Sequence, residues 1–144
     1  MIMDESRTGF VILDHPADLG IEAHGKTLAE SFEQAALGLM SIIVDLTTVE
    51  PVQSREVHIK AAEVEQLLVR WLAEILYLYD GQWFVASKFT ITKLASDQLE
   101  AIVHGENLSA EKHRTQLDVK AITYHQLLVC ENEKGATVRV FLDI

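Results

Sequence analysis

Two stretches of the chain carry apolar residues at helical spacing, and most of the rest alternates in the manner of strands. Leu28, Phe32, Ala35, Ala36, Leu39 and Ile43 recur at intervals of three and four and predict a helix ending near Val44. Thr27 stands before it as an N-cap with Glu30 three residues on, the arrangement of a capping box. Val64, Leu67, Leu68, Trp71, Leu72, Ile75, Leu76 and Tyr79 predict a second helix from about Ala62 to Asp80, with Gly81 placed to end it. Both apolar stripes are wide, so each helix must bury much of its surface against a sheet or against the other helix. Strand patterns run over Gly9 to Asp14, Leu19 to His24, Arg55 to Lys60, Trp83 to Leu94, Leu99 to Gly105, Asp118 to Glu131 and Ala136 to Asp143. His15 to Asp18 reads as a turn, because Pro16 fixes its own φ and biases His15 towards extended geometry. Asn132 to Gly135 reads as another, and the polar stretch Glu106 to Gln116 as a connection. The helices do not alternate strictly with strands. The expected fold is therefore α+β: two α-helices packed on one face of a largely antiparallel or mixed β-sheet, in a single domain spanning residues 1–144.

Composition narrows the function. With 49% hydrophobic residues in 144, the chain can build a core and is not a disordered one. No apolar run approaches the roughly 20 residues of a membrane span. The first seven residues are acidic and polar rather than basic then apolar, so no signal peptide is expected. One cysteine, Cys130, excludes an intramolecular disulfide, and a cytoplasmic location is expected. Its neighbours Leu127, Leu128 and Val129 predict a small buried thiol. The formal charge of −10, from 22 acidic and 12 basic side chains, argues against tight, direct binding to nucleic acid. The same charge suits a cation or a basic partner.

No phosphate-binding glycine motif and no zinc spacing of Cys or His occurs. The acidic residues offer more. Asp14, Asp18 and Glu22 lie in or near the first turn, and Asp143 and the carboxylate of Ile144 follow the last strand. If the first and last strands are neighbours, these acids converge. Packed carboxylates repel unless a cation sits among them or one is protonated. A set of hard oxygen donors points to Ca²⁺, Mg²⁺ or Mn²⁺. Solvated loop charges are the alternative that spacing leaves open.

The segment His15 to Gly20, His-Pro-Ala-Asp-Leu-Gly, resembles the opening motif of the archease family, usually His-Thr-Ala-Asp-hydrophobic-Gly. Gly25 to Phe32 and Ala35 to Leu39 resemble that family's first helix, and Leu67 to Leu78 its second. Val119 to His125 resembles its signature strand, and Asp143-Ile144 its C-terminal pair. Five motifs in order cover nearly the whole chain after Thr8. The resemblance implies a cytoplasmic accessory protein without turnover of its own. It would activate an RtcB-type RNA-splicing ligase by promoting GTP-dependent guanylylation in tRNA splicing or RNA repair. It also implies a divalent-metal site, usually assigned Ca²⁺, at Asp18, Asp143 and Ile144. His15, Lys120 and His125 are expected to contact the partner or support the site. Pro16 departs from the family's threonine and removes a hydroxyl and an N–H from the motif loop. The resemblance also implies, as an alternative, a chaperone of RNA-modifying methyltransferases, and the acidic residues leave a metal-dependent hydrolase open.

Overall fold

The computed structural model describes residues 8–14 and 18–144. Seven strands and two helices follow one another along these residues. They are β1 (Gly9–Asp14), β2 (Leu19–Gly25), α1 (Leu28–Ile43), β3 (Gln53–Lys60), α2 (Val64–Gln82), β4 (Phe84–Leu94), β5 (Gln98–Asn107), β6 (Ala121–Asn132) and β7 (Gly135–Asp143). The α+β reading holds, and every strand pairing is antiparallel. The strands divide between two sheets, one ordered β1-β2-β7-β6 and the other β3-β5-β4. α1 touches β1, β2 and β7 of the first sheet and β4 of the second, and α2 touches strands of both as well. Both helices therefore pack against both sheets, which is why their apolar stripes are wide.

Thr27 caps α1 as the sequence predicts, its Oγ1 accepting from Glu30 N–H at 3.1 Å. The return bond of the box is displaced by one residue, from Lys26 N–H to Glu30 Oε1 at 3.4 Å. Phe32, Ala35, Ala36, Leu39 and Ile43 are wholly buried. Trp71 of α2 is also fully buried, and its indole N–H donates to Phe32 O at 2.9 Å, so the largest core side chain leaves no unsatisfied donor. Its ring meets Phe89 of β4 edge-on at 6.0 Å, tying the helix layer to the three-stranded sheet. Ile21 and Ala23 of β2 and Val138, Val140 and Leu142 of β7 face the helices from the other side.

β4 is an edge strand with two register shifts. Glu33 of α1 reaches across and accepts from Ile91 N–H at 2.8 Å, occupying a donor that would otherwise invite another chain. Burial raises the Glu33 carboxyl above its ordinary range, against the lowering effect of that bond.

The second helix ends differently from its sequence pattern. Gly81 lies inside its last turn, where an added Cβ would fall 2.6 Å from the Tyr77 ring. The left-handed residue that stops the helix is Trp83, at φ 57° and ψ 39°, with its N–H bonded back to Leu78 O and Tyr79 O. A left-handed conformation costs a residue with a Cβ about 1 kcal/mol. The indole itself is 66% exposed, so little burial offsets that strain. Trp83→Gly should leave stability unchanged or raise it by up to about 1 kcal/mol. Urea unfolding of both proteins checks this, and a lower midpoint for the glycine variant would contradict it.

Candidate functional site

The register of β2 and β7 decides where the predicted site residues go. Leu19 pairs with Leu142, Gly20 with Phe141 and Glu22 with Arg139. One residue beyond Leu19↔Leu142 on each strand stand Asp18 and Asp143, so the motif aspartate and the penultimate aspartate flank the same end of the central strand pair. Both lie on the parity of Gly20, Glu22, Phe141 and Arg139, the sheet face turned away from the helices. On the far side of β7, Ala121 pairs with Asp143, and Lys120 N–H donates to Asp143 O at 2.7 Å. Asp18, Asp143, Ile144 and Lys120 therefore gather at one corner of the four-stranded sheet. Asp18 Oδ1 is buried, whereas Asp143, Ile144 and Lys120 are exposed.

Other expected members fall elsewhere. His15, like Pro16, lies outside the described residues. Glu22 does not join the corner. It sits mid-strand, where Oε2 accepts from Arg139 Nη2 at 2.8 Å and Nε at 3.0 Å, and Oε1 lies 3.3 Å from His24 Nε2. Its charge is thus neutralised within the sheet. Asp14 closes β1 opposite Leu19 and is exposed. Cys130, expected to be buried, is exposed. Leu127 and Val129 take the inward positions on β6, which leaves Cys130 on the uncovered face.

His125 reaches the corner indirectly. Between Thr123 and Leu128 the β6–β7 ladder is broken, and Gln126 adopts φ 51° in the bulge. Thr123 Oγ1 holds the bulge, donating to Phe141 O at 2.9 Å and accepting from His125 N–H at 3.2 Å. The His125 ring then lies 6.0 Å from that of Phe141 at 67°. Phe141 in turn occupies the space over Gly20, where a Cβ would come within 2.7 Å of its ring. The glycine that ends the opening motif thus makes room for a phenyl ring two residues before the C-terminal pair.

A polar knot, invisible in the spacing of the sequence, fixes the segment that delivers Lys120. Glu106 is buried at the end of β5. Its Oε2 accepts from Glu50 N–H at 2.8 Å and lies 2.9 Å from His113 Nε2, while Oε1 accepts from Lys112 Nζ at 2.9 Å. His113 Nδ1 accepts from Ser109 N–H, which places the ring proton on the nitrogen facing Glu106. Beyond the knot, Gln116 and Leu117 donate to Ile43 O and Ile42 O, and Val119 is buried. Residues 108–120 lack regular structure yet are pinned at both ends.

A hard divalent cation suits the donors at the corner: two aspartates and a terminal carboxylate, all oxygen. Among the described residues, no three His, Cys, Asp or Glu side chains gather closely enough to hold a metal by themselves. An ion at this corner would draw on a donor beyond those side chains, such as the Ile144 carboxylate. No helix among the described residues is long and apolar enough to cross a membrane.

Residues 10–144 match the model of the Archease protein family (MTH1598/TM1083). Protein archease of Sulfolobus acidocaldarius is 35% identical over 138 residues, covering 95% of this chain and 99% of its own. Protein archease of Saccharolobus islandicus is 39% identical over 136 residues, covering 94% and 98%. The solution structure of Methanobacterium thermoautotrophicum protein 1598 superposes with a TM-score of 0.81 at 33% identity, over 94% of this chain and 99% of that one. The crystal structure of a Thermotoga maritima archease, described as a possible chaperone, shares the fold with a TM-score of 0.58 at 17% identity, over 92% and 94%.

The Glu50 amide, Lys112 and His113, in that order, hold the Glu106 carboxyl down to about 2 from an ordinary 4.5. Because the folded value is depressed, its stabilisation is whole above pH of about 4.5 and is lost as pH falls towards 2. Glu106→Gln should flatten that part of the stability profile, and Glu106→Ala should cost roughly 2–3 kcal/mol at pH 7 by stranding the donors around it. Denaturation midpoints between pH 7 and 3 test both, and an unchanged acid slope in the glutamine variant would contradict the assignment.

Proposed function

The chain belongs to the archease family, and on that premise we propose that it is an accessory protein for RNA-processing enzymes, acting through the corner that gathers Asp18, Asp143, Ile144 and Lys120. In this reading it binds a divalent cation, Ca²⁺ first and Mg²⁺ or Mn²⁺ otherwise, and activates an RtcB-type RNA ligase by promoting its guanylylation. The observation that supports it most is the β2–β7 register, which carries Asp18 and Asp143 to one strand end although 125 positions separate them. Asp18, Asp143 and the Ile144 carboxylate would hold the ion, which supplies positive charge for anionic oxygens of the partner or its nucleotide. The protein's own residues orient it. Lys120 N–H fixes the Asp143 backbone, Phe141 packs over Gly20, and the bulge holds His125 against Phe141. Lys120 adds an exposed side-chain ammonium on the residue whose backbone bonds Asp143, suited to a phosphate or an acidic partner group.

The description of the Thermotoga maritima neighbour as a possible chaperone supports a second reading. There the same ion would be structural, and the partners would be RNA-modifying enzymes such as methyltransferases.

Guanylylation of a purified ligase, measured with and without this protein, separates the two. Stimulation by the wild type, lost in Asp143→Ala, is expected. Calorimetry should show Ca²⁺ affinity falling about tenfold or more in that variant, which is about 1.4 kcal/mol. Extending the chain past Ile144 should weaken binding without altering any side chain. No stimulation by the wild type would remove the ligase reading, full stimulation by Asp143→Ala would remove the corner's part in it, and unchanged Ca²⁺ affinity in both variants would remove the metal site.

A further inference from the structure

The C-terminal end of α2 carries an exposed aromatic ridge remote in chemistry from the carboxylate corner. Tyr77 and Asp80 lie on its last turns, and Trp83, the left-handed cap, is held against the same turn by its N–H on Leu78 O and Tyr79 O. All three are exposed, Tyr77 by 52% and Trp83 by 66%. Trp83 holds a left-handed backbone, although a glycine stands two residues earlier. Folding alone gives no reason to keep a large aromatic at that position.

Charge says what would cover it. The side chains of Asp80 and Asp118 make no hydrogen bond or ion pair with the described residues, unlike Glu22, Glu50 and Glu106, which have cations. Burial and then the proximity of Asp118 raise the Asp80 carboxyl, and burial followed by Asp118 and Asp80 raises the Tyr79 phenol. Asp118 thus lies near the ridge, as a like charge lacking a counter-ion. Nucleic acid and anionic membranes are repelled by such a surface. Three of the chain's own arginines are engaged: Arg139 with Glu22, Arg55 over the Phe84 ring, and Arg70 on Lys60 O. A second copy of the chain carries the same net charge of −10 and would be repelled.

We propose that this ridge docks an arginine-bearing segment of a protein partner, with a guanidinium stacked on Trp83 and paired to Asp80 and Asp118. Arginine fits better than lysine, because its planar group both stacks on an indole and forks onto a carboxylate. Tryptophan and tyrosine with a matching arginine are also the residues that concentrate energy at interfaces.

The test uses the whole protein in EDTA, so its outcome is independent of the metal reading. A capped diarginine peptide and its dilysine counterpart are titrated while the two indole N–H resonances are followed. The Trp83 signal should move and that of buried Trp71 should not. The diarginine peptide should bind several-fold more tightly than dilysine. Trp83→Gly leaves the net charge untouched and should weaken diarginine binding by roughly three- to tenfold. Asp118→Asn should weaken it as well. Equal affinity for the two peptides, undiminished binding by Trp83→Gly, or self-association through this ridge in the absence of peptide would overturn the proposal.

Discussion

The pairing of β2 with β7 is the constraint from which the rest of the molecule follows. It joins residues near the two ends of the chain into the central strands of the four-stranded sheet. Because side chains alternate along a strand, one register fixes two faces at once. Ile21, Ala23, Val138, Val140 and Leu142 turn inward to the helices, and Glu22 meets Arg139 on the outer face. A slip of β2 by one residue would turn Ile21 and Ala23 outward, carry Glu22 inward away from Arg139 and separate Asp18 from Asp143. The stability of the core and the position of the candidate site are therefore one requirement.

The helices turn that sheet into a closed body. Small residues let α1 approach closely: a Cβ on Gly38 would fall 2.8 Å from Ile21. Trp71 then spans the layer, bonded to the backbone of α1 and edge-on to Phe89. Residues 108–120 lie across this body without helix or strand, held by the buried Glu106–His113 contact and by bonds to the end of α1. Their order depends on polar groups satisfied inside the protein, where an unmet donor would be costly. Through that order Lys120 arrives beside Asp143.

Local signals in the sequence were legible where the chemistry was local. Thr27 capped the helix it was expected to cap, and alternation placed β1, β2 and β7 to within a residue. What depended on distant contacts was not. The division into two sheets follows from which strands pair, and alternation carries no partner information. Gly81 looked like a helix terminator, yet Trp83 is the residue that leaves the helix. Cys130 sits among apolar residues, but parity on β6 turns it outward. Glu22 resembled Asp14 and Asp18 until the register gave it Arg139. Glu106 and His113 lie seven apart in a stretch that reads as polar linker, and only the folded chain makes them a buried pair. Asp18, Asp143, Ile144, Lys120 and His125 are candidates through resemblance of motif alone, whereas Phe141 and the steric need for Gly20 emerge from packing.

The corner unites these threads, since sheet register, loop order and the packing around Phe141 all end on the same few residues. Titration with Mn²⁺, read by paramagnetic broadening of backbone amide signals, tests that convergence most directly. Broadening at substoichiometric ion should centre on residues 18–20, 120–121 and 142–144 and leave the far ends of β2 and β7 sharp. Broadening centred on another cluster, or spread evenly over the acidic surface, would contradict a cation site at this corner.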